Sequence, residues 1–291
     1  MVRPASFAFN EQTAASNAFQ KIDAIGHQAV HDLALHEFDQ AVETLRQHEM
    51  DVVVVQDSLF PRKPDAIFPN NWFSVHEDAV VLYPMAAPNR RSERNTAFVE
   101  EVDQRLGEVR HVDLTNYEDD NKYLEGTGSL VLDRVNRIAY ACLSQRTHEF
   151  LVTEWCNMMK YEPVLFHAEL NHQPVYHTNV VMSIGNTVAV CCLDAIGIDD
   201  ERNTLTQRLT EHHSLLTITL EQMQRFAGNM LLVRNKTNET FWVLSQAALE
   251  SLDENQIVTL EKDGRLLPLT LDTIETFGGG SARCMLAETG W

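Results

Sequence analysis

The sequence is poor in cysteine, in basic residues and in long apolar runs. Its five cysteines (Cys142, Cys156, Cys191, Cys192 and Cys284) are an odd number at low density in 291 residues. That excludes a disulfide framework and predicts free thiols in a reducing, cytoplasmic compartment. There is no CxxC pair, and Cys191-Cys192 lies inside an apolar run that reads as buried strand, so no zinc site is predicted. No apolar run approaches the ~18 residues of a membrane span. No stretch near Met1 combines basic, apolar and small residues as a secretion leader would, so none is expected. Lysine and arginine number 23 against 42 aspartates and glutamates, a net charge of −19. Such a balance repels nucleic acid and anionic membranes, so neither is an expected partner.

What is present is a recurring order of elements. The hydrophobic content, 44%, suits a sizeable core. Residues 3–9 read as a first strand, and 28–48 carry Val30, Leu33, Phe38, Ala41, Val42 and Leu45 at helical spacing. Val52–Val55 reads as a short buried strand. After a loop over 61–71, rich in proline and amides, the order becomes hairpin, helix, strand. This unit recurs at about 72–113, 130–167, 179–219 and 230–268, with the two chain ends left to complete a fifth. A helix is expected from Arg90 to Leu106, and Gln246–Ser251 is the last clear helix. Units that cannot bury their faces alone stack on one another. No linker divides the chain, so one α/β domain over residues 1–291 is expected.

Near the C-terminus stands Phe277-Gly278-Gly279-Gly280-Ser281-Ala282-Arg283-Cys284. Three glycines allow positive φ and close backbone approach. They present one cysteine beside a cation, Arg283. Thiolate is the reactive form, which a neighbouring cation stabilises, and such a turn suits a covalent nucleophile. Alone, the stretch fits a buried structural thiol better. Four further stretches sit at loops or strand ends, where catalytic groups concentrate. They are Pro64-Asp65-Ala66-Ile67-Phe68-Pro69-Asn70-Asn71-Trp72, Leu124-Glu125-Gly126-Thr127-Gly128-Ser129, Arg146 with Thr147, and Val175-Tyr176-His177-Thr178-Asn179. Each by itself reads as a turn or a satisfied structural residue.

Together, in this order and spacing, the stretches resemble the guanidino-group-modifying superfamily, which includes arginine deiminases, amidinotransferases, dimethylarginine dimethylaminohydrolases and succinylarginine dihydrolases. Within it the chain looks most like the citrulline-utilization hydrolases. The resemblance covers nearly the whole chain. It is strongest over Pro64–Arg91, which is similar to the dimethylargininase stretch from a Pro-Asp loop to an Ala-Pro-x-Arg-Arg helix start. It implies a five-bladed α/β propeller, or pentein, of pseudo-repeated ββαβ units around a central site, which agrees with the unit count. It implies Cys284 as nucleophile, His177 as general acid/base and Glu125 as the acid that orients the histidine. It implies Asp65 for substrate binding, and Arg90 and Arg146 for the substrate's α-carboxylate. A small-molecule substrate, citrulline or an arginine-like amino acid, is implied, with no metal or organic cofactor. Dimers are common in such families, so a homodimer is allowed.

Three positions depart from the family pattern. Many members carry a carboxylate at the position of Asn71, dimethylargininases carry an acidic pair at Asn70-Asn71, and deiminases carry an aspartate where Asn179 stands. A buried guanidinium needs paired anions. A neutral ureido group offers an acceptor and N–H donors, and a primary amide matches both. Amides at Asn70, Asn71 and Asn179 therefore favour citrulline, hydrolysed to ornithine, ammonia and carbon dioxide. Alternatives stay open: an arginine deiminase or dihydrolase, a dimethylarginine hydrolase, or a non-catalytic propeller binding protein. Succinylarginine dihydrolases also have an active-site asparagine, so an amide also fits passage through a ureido stage. Asn10 and Asn17 are candidates for holding an α-amino group.

Overall fold

The computed structural model describes residues 1–21, 26–94, 96–107 and 109–289. Four three-stranded mixed sheets follow one another along the chain. In each, an antiparallel pair is joined by a third strand parallel to the second. The first sheet holds Phe73–Val75, Ala79–Leu82 and Arg110–Asp113. The second holds Val131–Asp133, Ile138–Cys142 and Glu162–Phe166. The third holds Met182–Ile184, Val188–Cys191 and Ser214–Thr217. The fourth holds Leu231–Arg234, Thr240–Ser245 and Arg265–Leu269. A parallel third strand requires a crossover, and helices supply it: Thr96–Leu106, Glu149–Met159, Asp199–Thr210, and the pair Gln246–Ser251 with Glu254–Leu260. Middle strands such as Ile138–Cys142 are buried throughout, which is why they read as unbroken apolar runs. These four units match the expected boundaries closely. Among the described residues no sheet closes on itself, and no helix is long and apolar enough to cross a membrane.

The chain ends differ more from expectation. Of the strand expected over 3–9 only Arg3 pairs: the observed strand is Val2–Arg3, parallel to Val55–Gln56 across the helix His27–Gln47. Pro4 has no N–H to continue the ladder, and the Phe7 N–H turns instead to His31 Nδ1 at 3.2 Å. Val52–Val55 is half-buried rather than a core strand. The expected helix from Arg90 splits into a 3₁₀ turn, Pro88–Glu93, and the α-helix Thr96–Leu106. Gln246–Ser251 is not the last helix. Glu254–Leu260 follows at once, and its start is fixed by reciprocal 2.9 Å bonds between Asp253 and Gln256. Asp272–Gly278 then leads to the cysteine turn.

One regularity positions the site. A short turn precedes the first strand of each of the first three sheets: Pro69–Asn71, Gly126–Ser129 and Thr178–Val181. Before the fourth sheet stands Gly228-Asn229. The turn of Gly126–Ser129 packs on both Pro69–Asn71 and Thr178–Val181, and Pro69–Asn71 packs on the 3₁₀ turn Ala282–Met285.

Candidate active site

Glu125, wholly buried, precedes the turn Gly126–Ser129, and Ser129 Oγ accepts its backbone N–H at 2.9 Å. Its Oε2 lies 2.8 Å from His177 Nε2, its Oε1 accepts the Ala86 N–H at 3.0 Å, and Arg146 stands 3.6 Å away. Burial alone would raise this carboxyl, but Arg146 and His177 outweigh it and hold it at about 2. Burial pushes His177 down to about 4, against the pull of Glu125. At neutral pH the pair is thus a carboxylate and a neutral imidazole. The carboxylate accepts a hydrogen bond from Nε2–H, which leaves Nδ1 with its lone pair. A Cβ at Gly128 would lie 2.7 Å from that Nδ1 and 2.4 Å from Asn71 Nδ2, so only glycine fits there.

Cys284 lies in the turn Ala282–Met285. Gly279 takes positive φ, 63°, and ends the preceding helix. The sulfur receives two amide donors at 3.4 Å each, Asn179 Nδ2 and Asn229 Nδ2. Arg283 does not serve as the neighbouring cation. Its guanidinium pairs with Glu288 at 3.1 Å and with the Leu286 carbonyl at 2.8 Å. Cys284 and His177 line one small cavity of about 10 Å³, together with Asp65, Asn71, Arg90, Arg146, Tyr176 and the three glycines. A far larger cavity, about 900 Å³, includes Asn179 and Arg283 but neither Cys284 nor His177, so the reactive groups belong to the small one.

The remaining expected residues surround that cavity. Asp65 is held by Asn10 Nδ2 at 2.7 Å and lies 3.7 Å from Arg90; burial raises its carboxyl, partly opposed by Arg90. Burial would lower Arg90, but Glu93 and Asp65 keep its guanidinium above the ordinary value. Arg90 makes two 2.9 Å bonds to Glu93 and one to Asn71 Oδ1. Arg146 lies over the Tyr176 ring at 4.7 Å and donates to Ser16 Oγ and the Thr13 carbonyl. Asn70 Nδ2 reaches Thr127 Oγ1 at 3.3 Å. Asn17 donates to the Gly278 and Gly279 carbonyls, so residues 10–17 lie across the site. Four buried atoms here have no partner: Asp65 Oδ1, Asn70 Oδ1, Asn71 Nδ2 and Asn179 Oδ1. Buried polar atoms are normally bonded, and four of the eight unpartnered ones among the described residues lie here. All nine expected residues therefore gather in one place. Asn229 was missed, because Gly228-Asn229 before a strand reads as an ordinary turn. Glu93 was missed because it lies inside an expected helix.

The family model for N,N dimethylarginine dimethylhydrolase, eukaryotic, matches residues 3–290. The chain belongs to this family. It is therefore one of the guanidino-group-modifying hydrolases of carbon–nitrogen bonds other than peptide bonds. Solved structures share the fold. The N-terminal domain of ArgZ, a cyanobacterial arginine dihydrolase solved with substrate, is 15% identical, with a TM-score of 0.75 over 98% of this chain and 95% of that one. A variant of the same domain carries a covalently bonded reaction intermediate; it is 16% identical, with a TM-score of 0.76 over 100% and 96%. A dimethylarginine dimethylaminohydrolase adduct with S-methyl-L-thiocitrulline is 14% identical, with a TM-score of 0.64 over 98% and 96%. The chain spans 39% of AgrE, solved with ornithine and NAD⁺. No curated protein sequence matches this dimethylargininase-family chain.

Proposed function

We propose that this family member is a cysteine-dependent hydrolase of the ureido group of L-citrulline. Four ββαβ units, with the N-terminal parallel pair of Val2–Arg3 and Val55–Gln56 in the place of a fifth, support a five-bladed propeller with Cys284 at its centre. His177 Nδ1 takes the thiol proton as Cys284 Sγ bonds to the ureido carbon. The bond from that carbon to the side-chain nitrogen breaks, His177 returns the proton to the departing amine, and ornithine leaves. A carbamoyl group stays on sulfur. Water then adds to it and gives a proton to His177, the carbon–sulfur bond breaks, and the sulfur regains its proton. The carbamic acid splits into ammonia and carbon dioxide. Glu125 fixes the imidazole tautomer throughout, as a third group orients the base in hydrolytic triads.

The observation that carries the substrate is the amide edge. Asn70, Asn71 and Asn179 offer two unpartnered acceptors and one unpartnered donor, which suits a neutral ureido group. For the α-carboxylate we give the larger part to Arg146, since Arg90 already holds Glu93 bidentately. The second reading, an arginine dihydrolase, is favoured by Asp65, whose free Oδ1 suits a cation. The chemistry needs a reduced thiol, and the free cysteines fit the cytoplasm; a homodimer is allowed. The test is a panel of citrulline, arginine, dimethylarginine and agmatine, scored for ornithine and ammonia. Citrulline is expected to turn over and Cys284→Ala to be inert. Turnover of arginine without citrulline would replace the first reading by the second.

A further inference from the structure

Three of the four sheets send the turn ahead of their first strand to the site with an expected functional residue on it: Asn70 and Asn71, Glu125, and His177 with Asn179. The fourth sheet does so too. Two residues before Leu231 stands Asn229, wholly buried, with its side chain against the Cys284 sulfur.

The orientation of this amide is fixed by its surroundings. Nδ2 donates to the Asn179 carbonyl at 2.8 Å, and Oδ1 accepts the Arg283 N–H at 3.1 Å. Flipping it would set oxygen against oxygen and N–H against N–H, so the flip is excluded on both sides. The second Nδ2 proton is left for Sγ, at 3.4 Å. The thiol form has its own partner in the same group, with Sγ 3.7 Å from Oδ1. Asn179 also donates to Sγ, but its own Oδ1 has no partner to fix it. The chain is built for the contact: a Cβ at Gly228 would lie 2.3 Å from the Val180 carbonyl, so glycine lets this turn close on the one bearing Asn179. Arg283, the cation next to Cys284 in the chain, is taken by Glu288.

We infer that Asn229 is a further catalytic residue: its carboxamide holds the Cys284 sulfur in place and stabilises the thiolate through a neutral N–H donor. This rests on Cys284 being the nucleophile of the proposed hydrolase, but not on which substrate that hydrolase takes.

The test is the rate of iodoacetamide alkylation at Cys284, read by peptide mass, with Cys142, Cys156, Cys191 and Cys192 as internal controls. Burial pushes Cys142 and Cys156 to about 12 and Cys192 to about 11, so these stay silent at neutral pH. Asn229→Asp keeps an acceptor for the Arg283 N–H but removes the donors to sulfur and to the Asn179 carbonyl. Asn229→Ala removes the acceptor and both donors. Losing a hydrogen bond to a charged group predicts slowing of about tenfold or more in each folded variant. A rate in Asn229→Asp within about twofold of the unsubstituted protein would overturn the inference and leave Asn229 a purely structural link. Should neither variant fold, the unsubstituted protein still decides: the Asn229 side-chain amide resonance is expected to move as Cys284 is titrated. A resonance that ignores the sulfur's charge would overturn it. Slowed alkylation with no citrulline turnover would fault the substrate reading alone. Citrulline turnover with unchanged alkylation would fault Asn229 alone.

Discussion

At the scale of single residues, two titratable groups and three amides matter most. Glu125 is anionic and His177 neutral because one is held at about 2 and the other pushed to about 4. Glu125→Gln removes the anion that fixes the imidazole, and kcat is expected to fall at least about 100-fold with little change in Tm. A loss confined to KM would contradict that role. Asn71→Asp puts a carboxylate beside the cavity, and the ratio of kcat/KM for citrulline over arginine is expected to drop at least about tenfold. An unchanged ratio would show that the amide does not choose the substrate. The candidate residues were legible in the sequence only as a set, by their order and spacing, since each stretch alone reads as a turn. Their own bonding was not. Arg283 adjoins Cys284 in the chain yet faces Glu288, and Arg90 spends its best hydrogen bonds on Glu93. Which neighbour a buried cation takes is set by packing rather than by adjacency in the chain.

At the scale of elements, the site is a meeting of short turns, each ahead of a first strand. The regular units were legible because hairpins and helices carry strong periodicity. The turns were not, since a single helical turn has too few residues to show a period; Asn179 was expected in a strand and lies in the turn Thr178–Val181. Two C-terminal helices were also hidden, one of seven residues following Gln246–Ser251 after a two-residue break and one of seven leading into the glycines. Close approach of the turns predicts that Gly128→Ala will act on the site more than on the fold. Its new methyl meets the side chains of Asn71 and His177 rather than backbone. Citrulline kcat is expected to fall about 100-fold or more, as a displacement of about an ångström costs in positioned catalysis. Near-normal kcat with a collapsed Tm would contradict it.

At the scale of the whole molecule, buried carboxyls set the pH dependence of stability. Glu275, on the helix before the cysteine turn, accepts the Ser281 hydroxyl and is raised by burial to about 7. An acid raised in the folded state binds more protons there than in the unfolded chain. It therefore costs stability as pH rises from its ordinary value near ~4.3 to about 7. Glu275→Gln removes this cost. It should match the unsubstituted protein near pH ~4 and exceed it above pH ~7, by on the order of 2 kcal/mol. A pH-independent difference would contradict the shift.

In the proposed reaction Cys284 attacks the ureido carbon of citrulline and carries its carbamoyl group. Acid-quenching the protein during citrulline turnover and weighing its cysteine peptides tests this most directly. A carbamoyl adduct is expected on the Cys284 peptide and on no other. Continued turnover with every cysteine unmodified, undiminished in Cys284→Ala, would contradict it.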